Sequence, residues 1–91
     1  MARGISVYLT DEEYRQLSGY IFSQIINRKK SIDSDFCSET QKKYYQDEID
    51  IDSGIGFKLQ NAWYAAQGLK KDNDIKSYLD RIYAVLEKEA L

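Results

Sequence analysis

One strand-like segment, near the start of the chain, limits the possible folds more than any other pattern does. Residues 4–10 alternate between apolar and polar side chains, which is typical of a half-buried β-strand. The apolar face consists of Ile5, Val7 and Leu9, and the polar face of Ser6, Tyr8 and Thr10. No other segment has an equally clear strand pattern, and a lone strand leaves its backbone N–H and C=O groups without partners. We therefore expect this strand to pair outside its own chain.

The next segment has the signals of a helix over residues 11–30. Thr10 is placed as the N-cap, and Glu13 follows three residues later, which is the spacing of a capping box. Apolar side chains then recur at helical spacing, namely Tyr14, Leu17, Ile21 and Ile25, with Phe22 and Ile26 beside them. Three cations that suit the negative end of a helix dipole close the segment, namely Arg28, Lys29 and Lys30.

The middle of the chain, residues 31–52, has weaker signals and predicts a loop with a short helix. Asp33 or Ser34 can cap that helix, and one of its faces would contain Phe36, Cys37, Thr40 and Tyr44. The run from Glu48 to Asp52 alternates in polarity but contains only two apolar residues. We interpret this run as an extended linker.

The last third of the chain predicts an antiparallel hairpin of two helices, over residues 54–70 and 74–90. Both segments carry apolar residues at helical spacing, and the connection between them is short and polar. Asp72 or Asn73 is able to cap the second helix. The predicted fold class is therefore mainly α, with a short N-terminal β-strand followed by three to four helices. The 91 residues are expected to form a single domain over residues 1–91.

The composition argues against an enzyme. The chain has no histidine, which removes the commonest general base and the commonest zinc ligand. Its one cysteine, Cys37, has no histidine to activate it. The acidic run Asp50–Gly54 resembles the opening of a calcium loop, but its glycine stands one position too early and its last ligand position is Asn61. We therefore expect no catalysis, no metal site and no cofactor.

Charge and hydropathy limit the partners of the chain. The net charge is −2, which is not the overall basic balance of a dedicated nucleic-acid binder. No apolar run approaches the roughly 20 residues that a membrane-spanning helix needs. The start of the chain has no apolar stretch of the secretory type, and a single cysteine suits a reducing compartment. These features predict a cytoplasmic protein that does not enter a membrane.

The basic cluster Arg28-Lys29-Lys30 has two interpretations. Its cations are well placed to stabilise the C-terminal end of a helix. They are also able to contact the phosphates of a nucleic acid. The sequence leaves both interpretations open.

Residues 3–17, which combine the strand-like segment with a capped first helical turn, resemble the start of ribbon-helix-helix repressors of the Arc/MetJ type. In that family a short strand pairs with its twofold mate, and the resulting ribbon enters the DNA major groove. The resemblance implies that Ser6 and Tyr8 face the DNA, with Arg3 and Thr10 beside them. It also implies an apolar dimer core that contains Ile5, Val7, Leu9, Tyr14 and Leu17.

Two functions of different classes follow from these patterns. The first is a small non-enzymatic regulatory protein, a homodimer that binds DNA as a transcription or copy-number regulator of plasmid or phage type. The alternative is a protein–protein interaction module, either a phage or plasmid protein that binds a host protein or a small structural accessory subunit. The alternative predicts an exposed aromatic patch around Trp63-Tyr64 or Tyr44-Tyr45.

Overall fold

The computed structural model describes residues 4–71 and 74–89. Within these ranges the chain folds into three helices: α1 (Asp11–Ile32), α2 (Glu39–Ala66) and α3 (Ile75–Glu89). Four residues to which the sequence patterns assigned a place or a role lie outside the described residues, namely Arg3, Asp72, Asn73 and Ala90. The described chain is therefore helical, with short connections between its helices.

The predicted N-terminal β-strand is wrong, because residues 4–10 form no regular secondary structure. Its apolar face is largely open to solvent, with Ile5 89% and Val7 69% exposed and Leu9 half-buried. A strand is held by hydrogen bonds to a neighbouring strand, and the described part of the chain contains no second one. The fold class is thus corrected from a strand followed by helices to three helices.

Helix α1 begins at Asp11 because a capping box forms around its first turn. The Thr10 hydroxyl accepts the backbone N–H of Glu13 at 3.2 Å, and the Glu13 carboxylate accepts the backbone N–H of Thr10 at 3.0 Å. The hydrogen bond that the Glu13 carboxylate accepts from the Thr10 backbone N–H is the main reason that the pKa of Glu13 is lowered, and the Thr10 side chain lowers it further. The helix expected over residues 11–30 runs to Ile32.

Replacing Thr10 with alanine is expected to lower the free energy of unfolding by about 1 kcal/mol, the usual cost of losing an N-cap side chain. Because the pKa of Glu13 is lowered in the folded chain, its stabilising effect is present above its unfolded pKa. That effect is lost as the pH falls through the folded pKa. Thr10→Ala keeps the backbone N–H and removes only the contribution of the Thr10 side chain, so the cost of the substitution should shrink slightly in acid. Urea unfolding at neutral and at acidic pH measures the cost of Thr10→Ala under each condition. The control is Ser6→Ala, a substitution at an exposed polar residue outside the cap, which should leave the free energy of unfolding unchanged at both pH values. An equal loss of stability in Ser6→Ala and Thr10→Ala would contradict the capping role.

Helix α2 extends through much of the segment predicted as a loop with a short helix over residues 31–52. The loop between α1 and α2 covers residues 33–38, and the Ser38 hydroxyl caps α2 by accepting the N–H of Gln41 at 3.2 Å. The run read as an extended linker is helical and continuous with the segment expected to begin at residue 54.

The burial pattern of α2 explains why the linker interpretation is wrong. Ile49, Ser53 and Gly56 are buried at helical spacing, whereas Ile51 is 58% exposed. The two isoleucines that alternate with acidic residues therefore point in different directions around a helix, rather than along one face of an extended chain.

Helix α2 ends at Ala66, earlier than expected, because Gly68 adopts a φ of +72°. The N–H of Leu69 donates to the Tyr64 carbonyl at 2.8 Å, and the N–H of Gly68 donates to the Ala65 carbonyl at 3.1 Å. This hydrogen-bond pair is a Schellman motif, which requires the left-handed conformation that glycine adopts without a steric penalty.

The packing places α1 antiparallel to α2. Asp11 at the start of α1 contacts Trp63 near the end of α2, and Arg28 near the end of α1 contacts Asp52. The most extensive helix–helix packing lies between α1 and α2. The predicted hairpin of residues 54–70 with 74–90 is thus the smaller contact.

Helix α3 begins after Asp74, whose carboxylate accepts the N–H of Ser77 at 2.8 Å. This hydrogen bond lowers the pKa of Asp74. Tyr78 then reaches α2 at Gly56, where an added Cβ would overlap its ring. A glycine in the middle of α2 therefore allows α3 to approach closely.

The core is small and consists mostly of isoleucine. All three helices contribute buried apolar side chains: Ile21, Ile25, Ile26, Ile49, Tyr78 and Ile82. The buried Ser53 hydroxyl donates to the Asp50 carbonyl oxygen at 3.0 Å, so it is satisfied within its own helix. This core leaves many large apolar side chains at the surface.

Candidate protein-interaction surface

A groove opens where α1 begins and α2 ends. It lies between the N-terminal segment, the first turn of α1 and the last turns of α2, and it has a volume of about 330 Å³. We call it the Trp63 groove and define it by its lining residues: Val7, Tyr8, Leu9, Asp11, Tyr14, Leu59, Ala62, Trp63, Ala66 and Gln67. A mainly apolar lining with a few polar groups is typical of a binding site.

One wall of the groove is a stacked aromatic pair. The rings of Tyr14 and Trp63 lie parallel within 3°, with their centroids 5.0 Å apart. The Trp63 indole N–H donates to the Asp11 carboxylate at 3.1 Å, which orients the indole ring. Partial burial raises the pKa of Tyr14. Stacking and the indole hydrogen bond together hold this wall in one orientation.

Another wall consists of Val7, Tyr8 and Leu9 of the N-terminal segment, a segment whose large side chains are mostly exposed to solvent. Ile5, Val7 and Tyr8 are 89%, 69% and 88% exposed. Burying such surface against a partner is favourable, at about 25 cal/mol per Å². A cluster of exposed apolar side chains beside a groove is therefore typical of an interaction site.

The predicted DNA-contacting residues of the N-terminal segment lie at one end of α1. Ser6 and Tyr8 are exposed, whereas the Thr10 side chain is used in the helix cap. Among the residues assigned to a dimer or core, Tyr14 is half-buried in the groove wall and Leu17 is 38% exposed. The assignment of Ile5, Val7 and Leu9 to a dimer contact stays a prediction.

The predicted basic cluster lies at the other end of α1. Arg28 forms ion pairs with Asp52 at 2.5 Å and with Glu48 at 3.7 Å, and it is largely covered by α2. Lys29 pairs with Asp33 at 3.2 Å and lies 5.6 Å from the centre of the Tyr83 ring. Lys30 is exposed.

The two predicted DNA-contacting sets do not form one surface. Thr10 and Arg28 are separated by about 27 Å along the helix, at a rise of 1.5 Å per residue. Arg28 and Lys29 each face an acidic partner within the chain. Ion pairs within the chain thus involve both residues, Arg28 with α2 and Lys29 with the end of α1.

Of the two aromatic patches that a protein-binding module predicts, one lines the groove. Trp63 is half-buried in the groove wall, and the centre of the Tyr64 ring lies 5.7 Å from the centre of the Trp63 ring. Tyr44 is 60% exposed and contacts Tyr45 edge to face. Sequence patterns do not predict the pairing of Tyr14 with Trp63, because the only signal for it is an aromatic side chain on each of two amphipathic helices.

The described residues show no group of acidic or cysteine side chains arranged to hold a metal ion, and Cys37 is a half-buried free thiol. In the same ranges, no helix combines the length and the apolar character needed to cross a lipid bilayer. Comparison with protein-family models, curated proteins and solved structures gives no significant match.

Proposed function

We propose that this chain is a small non-enzymatic regulatory protein that acts by binding an apolar segment of another protein in the Trp63 groove. One observation carries the proposal: a largely apolar groove of about 330 Å³ with an oriented aromatic wall and an exposed apolar wall. Aromatic side chains held in one orientation lose little entropy on binding, which makes them effective anchors at interfaces.

The chemistry of the groove rim indicates the kind of segment it would take. Asp11, Glu12 and Glu13 lie together in the first turn of α1, next to the groove. An acidic rim favours a partner whose apolar side chains are flanked by basic residues, because opposite charges speed and orient association. We therefore propose a partner segment that combines large apolar side chains with neighbouring Lys or Arg. A cytoplasmic setting, in which Cys37 stays reduced, is part of the proposal.

We do not propose DNA binding through a strand ribbon. Residues 4–10 form no strand, and Arg28 and Lys29 are engaged in ion pairs. The groove, by contrast, is already present in the folded chain.

A peptide library displayed on phage tests the proposal directly. The folded chain is expected to select peptides that combine aromatic or large aliphatic residues with basic ones. Because Trp63 is the single tryptophan of the chain, binding in the groove should shift its fluorescence emission. Val7→Asp, which places a charge on the exposed wall, should weaken binding roughly tenfold or more, since burying an apolar side chain contributes about 1.5 kcal/mol or more.

The matched control is Ile75→Asp, which introduces the same charge at an exposed isoleucine on α3, outside the groove. This variant should bind selected peptides as tightly as the unmodified chain does. A library that yields no binder would overturn the proposal. Peptides that bind Val7→Asp with full affinity, or that leave the Trp63 emission unchanged, would also overturn it.

A further inference from the structure

A second apolar surface runs along α2 on the side opposite its buried residues Ile49 and Ser53, and it reaches the Trp63 groove at its C-terminal end. Large side chains there are open to solvent: Tyr44, Ile51 and Ile55 are 60%, 58% and 45% exposed. Ala62 and Ala66 continue the same line and are also exposed. We call these five residues the α2 stripe.

The spacing of the α2 stripe keeps it on one side of the helix. Its members follow one another at intervals of seven, four, seven and four residues. An eleven-residue repeat corresponds to about 3.67 residues per turn, close to the 3.6 of a straight α-helix. The stripe is thus nearly parallel to the helix axis and extends over about 33 Å at 1.5 Å per residue.

Helix α2 is therefore apolar on two sides. Ile49, Ser53 and Gly56 form its buried side against the other helices. A surface helix normally carries one apolar face, opposite a polar one. The second face is long and straight enough to pack against another helix.

The positions of the first four stripe residues are symmetric about Ser53, whereas Ala66 lies beyond them and would face Thr40 of an antiparallel second copy. Tyr44 and Ala62 are equally far from Ser53 in the sequence, and so are Ile51 and Ile55. In two antiparallel copies aligned at Ser53, Tyr44 of each copy lies opposite Ala62 of the other, and Ile51 lies opposite Ile55. A large side chain thus meets a small one, and two branched side chains of equal size meet at the centre.

The charges beside the stripe favour the same alignment. Lys58 and Asp47 lie on the same flank of the stripe, and the antiparallel alignment brings each close to the other in the second copy. Lys58 forms no ion pair with the described residues, whereas Asp47 pairs with the exposed Lys43 at 3.3 Å. Two such Lys58–Asp47 contacts, related by the twofold axis, would add orientation to the apolar contact.

We infer that the α2 stripe packs against the α2 stripe of a second copy of this chain, antiparallel and centred at Ser53. This homodimer does not rest on peptide binding in the Trp63 groove. The two surfaces meet at Ala62 and Ala66, so Tyr44 of one copy lies beside the rim of the groove in the other.

Light scattering on a sizing column tests the association. The unmodified chain should have twice the mass of one 91-residue chain, with dissociation only on dilution. The double variant Ile51→Glu/Ile55→Glu should run at half that mass, with unchanged helical circular dichroism, because both side chains are exposed. The matched control Val85→Glu, at a 39% exposed position on α3, should stay dimeric. An unmodified chain that is monomeric at every concentration would overturn the inference, as would a double variant that stays dimeric.

Cysteine cross-linking tests the alignment. In a Cys37→Ser background, a mixture of Tyr44→Cys and Ala62→Cys chains should form a disulfide-linked pair, because facing positions come within the roughly 7 Å between Cα atoms that a disulfide allows. Neither variant should cross-link with itself. A disulfide within the Tyr44→Cys protein alone would show a parallel pair and overturn the alignment.

The two proposals fail separately. The Ile51→Glu/Ile55→Glu variant should still bind groove peptides, and Val7→Asp should still be dimeric. An unmodified chain that is monomeric but still binds groove peptides would overturn the homodimer and leave the peptide-binding proposal standing. A dimeric chain that binds no peptide would do the reverse.

Discussion

Replacing Ile49 with alanine is expected to lower the free energy of unfolding by about 3 kcal/mol, within the usual range for truncating a buried isoleucine. Ile49 has no exposed surface and is the one fully buried apolar side chain that α2 contributes to the core among the described residues. Its loss leaves a cavity in the core to which all three helices contribute. Because a chain of this size has a total stability of about 5–14 kcal/mol, the variant should be visibly less stable in urea.

The matched control is Ile5→Ala, the same substitution at a position that is 89% exposed. It should change stability by less than about 0.5 kcal/mol, as surface substitutions usually do. The comparison also decides how residues 48–52 are structured. If they formed the extended linker that the alternation suggests, Ile49→Ala would be as mild as the control, and that outcome would contradict the burial of Ile49.

The second large effect is expected at Gly56. A Cβ at this position would overlap the Tyr78 hydroxyl and lie 2.6 Å from the Tyr78 Cζ and 3.1 Å from the Ile21 Cγ2. Tyr78 is only 4% exposed, so its ring has little room to move. Gly56→Leu should therefore cost about 3 kcal/mol, at the upper end of typical overpacking, and should loosen α3 from α2. Urea unfolding monitored by circular dichroism measures the cost.

Gly54 provides the control two residues away. A Cβ there meets no atom within 4 Å, and the residue lies inside α2. Gly54→Ala should therefore stabilise the chain by up to about 1 kcal/mol, because alanine loses less backbone entropy in a helix than glycine does. If Gly56→Leu and Gly54→Ala both changed the free energy of unfolding in the same direction, that result would contradict the close approach of Tyr78 to Gly56.

Helix ends can be predicted from the sequence alone where the capping residues lie within a few positions of each other. The reciprocal hydrogen bonds of Thr10 and Glu13 depend on residues three positions apart. The turn at Gly68 is also local, but the polar residues that follow it predict a helix end at residue 70, later than the observed end at Ala66. Helix ends are thus readable when a cap has a recognisable spacing.

The error at residues 4–10 has a different origin. Alternation describes which side chains would share a face, but a strand exists only when another strand accepts its hydrogen bonds. The linker error in α2 is similar, since two isoleucines separated by one residue fit a helix as well as an extended chain. Only the packing of Ile49 against α1 and α3 distinguishes the two.

The candidate site could not be predicted as a unit. Tyr14 was assigned to a core or dimer contact and Trp63 to an aromatic patch, but nothing in the sequence places them in one stack. Trp63 and Asp11 are 52 residues apart, and they meet because α1 and α2 pack antiparallel. The composition alone shows that the chain has no histidine, so no imidazole is present in the candidate site.

By itself the sequence determined the helical periodicity and the cap of α1, because these depend on hydrogen bonds and side chains within a few residues. The tertiary structure decided which faces are buried, where the Trp63 groove forms, and that α2 keeps an apolar face turned away from its own core. The physical reason is that a small core buries only one side of each helix. Which side is covered depends on contacts between residues far apart in the chain, and no local pattern contains that information.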